Sequence, residues 1–401
     1  MRHTIAIETP TSAAERAPTL PWLEREKSLL VAEHPAVDRL VRWAWARPAA
    51  LLLPLAFVVI GSLGAVIPDG DAGWFREAGR GMLGPNFWNV FIQPGLQIGP
   101  LYLLALGGAA AAVDAVGLPV LFTLAALQAV LVTWLGLVTA RRFANHTGAR
   151  ALSAQWALGL ALVLGGLLAE SIGNGHPEEI ALGLLLANAA LDAGRGRRGS
   201  VGLLVGLAAG FKLWGILGIP VVLVGRRQRA VWVRGLLAGA VVLLCYAPFF
   251  VWGEVNTFRF TWGMSNAGST LAQLGSWLGA SDWTLRVIQG AAAMLVGCAV
   301  AVRRSGSGLT IVICVIAARL LLDPLMMSYY PGPLVVLVLL WVWTNPGTCA
   351  SWWRFAVLAA VPVVVLVPYL IPLQAIKGMW TVAMIVVPLA IVRTERRSAR
   401  G

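Results

Sequence analysis

The sequence PAALLLPLAFVVIGSLGAVIPDGDAGWFREAGRGMLG, residues 48–84, joins a long apolar run to a charged segment. From Ala49 to Val66 the chain is apolar and close to the roughly 20 residues that a helix needs to cross a bilayer. Arginines precede this run in RLVRWAWARP, and basic residues mark the cytosolic side of a span. The segment PDGDAGW is therefore expected outside, with Asp69 and Asp71 at the mouth of the first span.

The composition is typical of an integral membrane protein with many spans. Of the 401 residues 58% are hydrophobic and 12% are charged, and the mean hydropathy is +0.78. The net charge of +13 comes from arginine clusters in short loops between apolar runs, a pattern of cytosolic loops, so nucleic-acid binding is not expected. Few of the basic residues are lysines, a bias of GC-rich genomes, which favours a bacterial plasma membrane. The four cysteines lack CxxC spacing, so neither a disulfide framework nor a metal knuckle is predicted.

The distribution of charge predicts one all-α polytopic domain, residues 49–393, with both termini in the cytosol. Residues 1–48 lack a leading apolar core with a cleavage site, so an amphipathic cytosolic segment is expected there instead of a signal peptide. Residues 394–401 form a basic cytosolic tail. External loops are predicted at 67–117, 169–179, 253–286 and 323–332. The expected spans, about ten in number, are 49–66, 118–140, 151–168, 180–193, 231–252, 287–302, 310–322, 333–343, 355–370 and 381–392.

Two apolar segments do not fit as simple spans. If residues 101–116 crossed the membrane, Arg141 and Arg142 would lie outside, so this short Gly- and Ala-rich segment is predicted to be an external juxtamembrane helix. Residues 201–225 are flanked by basic residues at both ends and carry Lys212 in the middle. A hairpin of two short helices, open to the cytosol, fits them better than one span.

The two carboxylates after span one have two interpretations. If a helix begins at Ala72, Asp71 lies at its N-terminus, where the helix dipole favours the ionised form. An ionised, oriented carboxylate can accept a proton from a substrate hydroxyl, which is the role of a general base. Alternatively, Asp69 and Asp71 only end one span and cap the next helix.

The segment GNGHPEE places His176, Glu178 and Glu179 at the outer start of a span. The carboxylates and the imidazole are suited to hydrogen-bonding sugar hydroxyls or to orienting the base. They are equally typical of an ordinary charge cluster at a helix N-terminus. Metal binding by His176 and Glu179 is disfavoured because no second external histidine is available, and no metal or other cofactor is predicted.

Two further charged groups fall within apolar runs. Lys212 is the only lysine in such a run and is predicted to pair with an anionic phosphate or a buried carboxylate, or else to reach the interface. Arg319 and Asp323 stand one helical turn apart, so they are candidates for substrate contact or for a salt bridge with each other.

Together these segments resemble the GT-C superfamily of glycosyltransferases, which use polyprenyl-phosphate-linked sugars. They are most similar to the bacterial polyprenol-phosphate-mannose-dependent alpha-mannosyltransferases. The resemblance covers roughly residues 50–345 and rests on the order of its segments more than on a strict motif. Those segments are PDGDAGWFREAGRGMLG, GPLYLLALGG, LGLVTARRF, GHPEEIALGLLLANAAL, GLAAGFKLWGILGIP and DPLMMSYYPGPL.

The resemblance implies a base on the first external loop, which maps onto Asp71, with Asp69 as the alternative. It also implies inversion at the sugar carbon. Where relatives offer a histidine in the late external loop, this chain has Ser328, Tyr329 and Tyr330, and the two tyrosines are candidates for substrate binding. The donor carries its own phosphate leaving group, so a nucleotide-binding motif is not needed, and none is found. The departing phosphate requires a cation, for which the external candidates are Arg259, Arg286 and Lys377, with Lys212 as a further one.

The function expected from the sequence is transfer of a sugar, with mannose favoured, from a polyprenyl-phosphate donor to a lipid or glycan acceptor of the envelope. The partners implied are the donor, the acceptor and membrane lipids. The main alternative is a secondary transporter or a flippase, for which Lys212 and the nearby Gly/Pro-rich segment are the support. The absence of an internal repeat counts against it. A non-catalytic membrane scaffold is a third hypothesis.

Overall fold

The computed structural model describes residues 35–67, 70–225, 228–261, 270–303, 307–325, 327–345, 351–371 and 373–398. Every regular element in these ranges is helical. Asp69, most of the N-terminal segment (1–34) and the last three residues of the tail (399–401) lie outside the described residues. The chain divides into two compact units, Met1–Arg47 and Pro48–Gly401.

The first unit contains helix α1 (Pro35–Ala46), and the second contains all the other helices. The α-helices of the second unit are α2 (Pro48–Val66), α3 (Ala72–Gly81), α4 (Pro100–Ala115), α5 (Val120–Thr147), α6 (Ala151–Val163), α7 (Leu167–Gly173), α8 (Pro177–Gly194), α9 (Arg198–Phe211), α10 (Gln228–Trp252), α11 (Thr270–Trp277), α12 (Asp282–Val302), α13 (Gly308–Leu321), α14 (Gly332–Thr344), α15 (Ser351–Leu370) and α16 (Leu373–Ser398). Short 3-10 helices span Phe87–Ile92, Leu213–Leu223 and Thr257–Arg259.

Seven helical segments of the described chain are long and apolar enough to cross a membrane, as expected for a membrane-embedded protein of several spans. Three predicted spans correspond to shorter or more polar helices. Helices α13 and α14 have 14 and 13 residues, about 20 Å at 1.5 Å per residue, whereas a hydrocarbon core is about 30 Å thick. Helix α8 has 18 residues, including three acidic ones. The count of ten spans therefore stays a prediction.

Helix α8 forms the centre of the second unit. Fifteen of its 18 residues are buried, because its sequence IALGLLLANAAL is apolar on every side and can pack against neighbours all round. Those neighbours include α5, α9, α13 and α14. The first turn of α8, Pro177–Glu179, therefore carries two carboxylates into the interior.

The other end of α8 is fastened to α5 by a buried polar cluster. Arg142 Nη2 lies 2.5 Å from Asp192 Oδ1, and the same guanidinium donates to the Asn188 side chain. Asn188 Nδ2 donates to Thr139 Oγ1 at 2.6 Å. Because α8 is held at this end as well as along its apolar sides, the position of its acidic first turn is well defined.

Residues 201–225 form the two short helices predicted for them. Helix α9 ends at Phe211, Lys212 adopts an extended conformation (φ −159°, ψ 132°), and the 3-10 helix Leu213–Leu223 follows. The two arms lie close together, because a β-carbon on Gly215 would be 2.4 Å from the carbonyl carbon of Ala208. Lys212 is therefore at the turn of a hairpin, while the cytosolic opening of that hairpin stays a prediction.

The predicted juxtamembrane helix is α4, and it packs tightly against α3. Two glycines permit this contact, since a β-carbon on Gly107 would lie 2.1 Å from the carbonyl oxygen of Gly79. At its start, the Gly99 amide donates to the carbonyl of Phe211 at 2.9 Å. Helix α4 thus connects α3 to the turn of the hairpin.

Candidate functional site

Asp71 immediately precedes α3, and its side chain does not cap that helix. Its backbone is helical (φ −77°, ψ −6°), and its carbonyl accepts the first helical hydrogen bond from the Phe75 amide at 3.0 Å. The side chain instead places Oδ2 3.2 Å from Nε2 of His176. The capping interpretation of Asp71 is therefore wrong, and the carboxylate is directed towards another element.

The turn before α8 brings His176 to Asp71. Gly175 has a φ of +83°, and a β-carbon there would lie 2.4 Å from the amide nitrogen of Ala72, so only glycine fits. The Asp71 amide donates to the carbonyl of Asn174 at 3.3 Å. Two loops that are 105 residues apart in the chain are thereby held side by side.

His176 bridges two carboxylates. Its Nε2 faces Asp71, and its Nδ1 lies 2.8 Å from Oε1 of Glu178. An ionised carboxylate only accepts hydrogen bonds, so both contacts are satisfied when the imidazole is doubly protonated. The ring also stacks on Tyr329, with centroids 4.4 Å apart. These contacts fix the orientation of the ring and favour the imidazolium.

Lys212 provides a second cation beside Glu178, with its Nζ 3.3 Å from Nδ1 of His176. Its Nζ donates to Glu178 Oε1 at 3.0 Å and to Glu179 Oε1 at 2.6 Å, and both carboxylate side chains are fully buried. Buried ionised groups require such pairing, because removal from water is costly for each charge. Of the alternatives for Lys212, the structure selects pairing with buried carboxylates.

A second ion-paired group lies between α12 and α13. Arg286 Nη1 donates to Asp323 Oδ1 at 2.7 Å, whereas Arg319, one turn before Asp323, is 3.7 Å from its other oxygen. The guanidinium of Arg319 instead lies over the rings of Trp214 and Tyr330, 4.5 and 4.9 Å from their centroids. The predicted i, i+4 pair exists, but Arg286 is the closer partner of Asp323.

The two groups meet at adjacent tyrosines. Tyr329 stacks on His176, and Tyr330 lies under Arg319, with their ring centroids 4.9 Å apart. If His176 is charged, the charges of the eight ionisable residues in the two groups cancel. The carboxylates are Asp71, Glu178, Glu179 and Asp323, and the cations are His176, Lys212, Arg286 and Arg319.

Within this assembly Asp71 is the exposed member. Its side chain is 57% exposed, whereas that of His176 is 6% exposed. The hydrogen bond with His176 lowers the pKa of Asp71, and this outweighs the opposing effect of partial burial. Burial and nearby Lys212 lower the pKa of His176, but Glu178 and the hydrogen bonds to both carboxylates outweigh them, so its pKa is raised. The ionised Asp71 carboxylate is therefore open to a substrate.

The remaining predicted residues are not part of this assembly. Arg259 is exposed on the 3-10 helix Thr257–Arg259 and joins none of the ion pairs just described. Asp69 lies outside the described residues. No group of three His, Cys, Asp or Glu side chains arranged to hold a metal ion occurs in the described part of the chain, and independence from metal stays a prediction.

Several residues around the site have no signal in the sequence. Tyr369 of α15 donates to Glu170 at 2.6 Å, and Asn174 donates to the same side chain at 3.1 Å. The backbone carbonyl of Asn174 in turn accepts a hydrogen bond from the backbone amide of Asp71. These residues anchor the loop that positions Asp71; Glu170 and Asn174 are one turn apart at the end of α7, and only the tertiary fold brings the distant Tyr369 to them.

No family model, curated protein or solved structure matches the chain. Function must therefore be argued from the geometry of the site. One exposed, oriented carboxylate lies at the end of a buried chain of ion pairs, an arrangement suited to accepting a proton from a bound hydroxyl group.

Proposed function

We propose that this protein is a GT-C-type membrane glycosyltransferase that transfers a sugar, with mannose the first to test, from a polyprenyl-phosphate donor. The acceptor is a lipid or glycan of the envelope, and Asp71 is the general base. The observation that carries this proposal is the half-exposed Asp71 carboxylate, 3.2 Å from the buried His176. In the proposed arrangement the site faces the outside of a bacterial plasma membrane crossed about ten times, with both termini in the cytosol.

The chemistry is a single inverting displacement. The acceptor hydroxyl oxygen forms a bond to the anomeric carbon while its proton passes to Asp71. The bond from the anomeric carbon to the phosphate oxygen breaks, and the polyprenyl phosphate leaves with the electron pair. His176 keeps the carboxylate oriented and ionised, which is the condition for a base held in reach of its substrate.

An apolar crevice beside Asp71 is an argument for a lipid-linked substrate. Ala72 and Arg76 of α3 line it together with apolar residues of α2, α4, α5 and α7. Arg76 and Gln128 are its polar members. A hydrocarbon chain is suited to the apolar walls of this crevice.

Arg259 is the proposed partner of the departing phosphate. Lys212 and Arg286 already pair with buried carboxylates, whereas Arg259 is exposed. The neighbouring Phe260 approaches α3, since a β-carbon on Gly95 would lie 3.1 Å from Phe260 and 2.8 Å from Trp74. An arginine on that side can stabilise the negative charge that develops on the phosphate.

The proposal predicts sugar transfer by the purified protein. After reconstitution with radiolabelled polyprenyl-phosphate mannose and an extract of envelope lipids, we expect the label to move into an acceptor without added nucleotide. Donors bearing other hexoses identify the sugar if mannose is not used. Failure to transfer a sugar from any polyprenyl-phosphate donor would contradict the proposal.

The pH dependence of transfer tests the pairing of Asp71 and His176. The hydrogen bond from His176 lowers the pKa of Asp71 below the ordinary value of 3.8, so the base stays ionised as the pH falls and the acid limb of kcat/KM lies below that value. In His176→Leu, which has no hydrogen-bond donor, the principal cause of the lowering is gone, and the limb is expected to move to higher pH. An acid limb at the same pH in both proteins would contradict the assigned role of His176.

A transporter is the second candidate, because α9 and the 3-10 helix Leu213–Leu223 break at a buried, ion-paired Lys212. Discontinuous helices with charges inside the membrane domain are common in secondary transporters. Flux of a labelled lipid-phosphate sugar or free solute across the reconstituted membrane, without transfer to an acceptor, would favour this second function.

A further inference from the structure

We propose that helix α1 is a binding surface for anionic phospholipids of the cytosolic leaflet. The helix covers Pro35–Ala46, PAVDRLVRWAWA, and none of its twelve residues is buried. Its large apolar side chains are unusually exposed, with Val37, Leu40 and Val41 each more than half accessible. The assignment to the cytosolic leaflet rests on the cytosolic N-terminus of the proposed topology, but α1 contributes no residue to the proposed catalytic site, so loss of lipid binding and loss of sugar transfer are distinguishable outcomes.

The side chains of α1 divide into faces at helical spacing. At 100° per residue, Val37, Leu40, Val41 and Ala44 lie on one side, and Arg39 and Arg42 lie on the other. Trp43 and Trp45 flank the apolar side, one at each edge. A helix with an apolar face, arginines opposite and tryptophans at the boundary has the composition of one that lies in the plane of a membrane interface.

The net positive charge of α1 and Arg47 indicates which type of lipid the helix binds. Three arginines, Arg39, Arg42 and Arg47, stand against one acidic residue, Asp38, which pairs with Arg42. The guanidinium of Arg47 lies 5.1 Å from the centroid of the Trp43 ring. This excess of positive charge complements the anionic headgroups of a cytosolic leaflet.

Helix α1 directly precedes a candidate membrane span, so it starts next to the membrane surface. Arg47 is the single residue between the end of α1 and the start of α2 at Pro48, and α2 is long and apolar enough to span a bilayer. A water-soluble partner protein does not require an amphipathic helix next to a span, nor tryptophans at both edges of its apolar face. Anionic lipid accounts for all these features.

The test uses the full-length protein and measures how deeply each face of α1 lies in the membrane. Single cysteines replace Leu40 on the apolar face or Ala46 on the arginine side, in a background without native cysteines, and each carries a nitroxide label. In nanodiscs of phosphatidylcholine with phosphatidylglycerol, the label at 40 should be accessible to oxygen and protected from a water-soluble nickel chelate. The label at 46 should show the reverse.

Changing the helix charge separates lipid binding from other contacts. In Arg39→Gln/Arg42→Gln, the ratio of immersed to water-exposed label at 40 should fall by about fivefold per arginine. Asp38→Asn should raise that ratio, and discs of phosphatidylcholine alone should lower it. Equal nickel access at 40 and 46 in anionic discs would overturn the proposal, as would protection at 40 that is insensitive to both lipid charge and helix charge.

Discussion

The Asp71→Asn protein is expected to transfer sugar about 10²- to 10⁴-fold more slowly than the unmodified chain, the range over which general base catalysis contributes. Asparagine keeps the size of the side chain and an oxygen that can accept a hydrogen bond from His176, but it cannot take up a proton from the acceptor. The loss should therefore fall on kcat, and the protein should still fold and enter the membrane.

Initial rates in proteoliposomes, with protein recovery checked by gel filtration, measure this effect. Glu77→Gln is the matched control, because Glu77 is an exposed carboxylate on the same helix, α3, and its removal should leave the rate unchanged. Asp69→Asn tests the alternative base. Normal transfer by both Asp69→Asn and Asp71→Asn would rule out a base on this loop.

The Lys212→Met protein is expected to lose about 3–5 kcal/mol of stability, the usual result of removing one partner from a buried ion pair. Methionine fills a similar volume, but it leaves Glu178 and Glu179 buried without the ammonium group that they share at 3.0 and 2.6 Å. A loss of this size is a large part of the stability of most folded proteins, so the amount of folded protein should fall sharply.

Thermal unfolding in detergent, followed by the fraction that stays monodisperse, measures this loss. Combining Lys212→Met with Glu178→Gln and Glu179→Gln should recover much of the stability, because the carboxylates then no longer carry unpaired charge. Lys377→Met is the control at a partly exposed lysine and should have little effect. If Lys212→Met melts at the temperature of the unmodified chain, the ion pairs do not stabilise the fold.

Local patterns in the sequence point to much of the candidate site. Apolar runs of sufficient length gave the membrane character, and charges next to those runs singled out Asp71, His176, Glu178 and Lys212. This worked because a charge near or within a bilayer is costly and therefore rare. The same reasoning found Arg319 and Asp323 by their helical spacing, although it missed Arg286 as the closer partner of Asp323.

Other features were beyond local reasoning. The sequence left Asp71 equally suited to capping a helix, and only the turn at Gly175 (φ +83°), with the close contact that it permits, brings His176 to the carboxylate. Arg259 matched Arg286 in charge and in predicted loop, yet it lies outside the ion-paired groups. The position of an arginine in the sequence does not reveal which carboxylate lies nearest to it in the fold.

The amino-acid sequence by itself indicated a helical chain of membrane-protein character, the positions of its long apolar runs, and the charges that interrupt them. These properties depend on hydrophobicity and periodicity, which act over a few turns of helix. Only the tertiary structure decided that Asp71, His176, Glu178 and Lys212 form one connected chain, with Asp71 as its exposed end. That outcome depends on contacts between residues far apart in sequence, made by close packing around α8, and on the need of each buried charge for a partner.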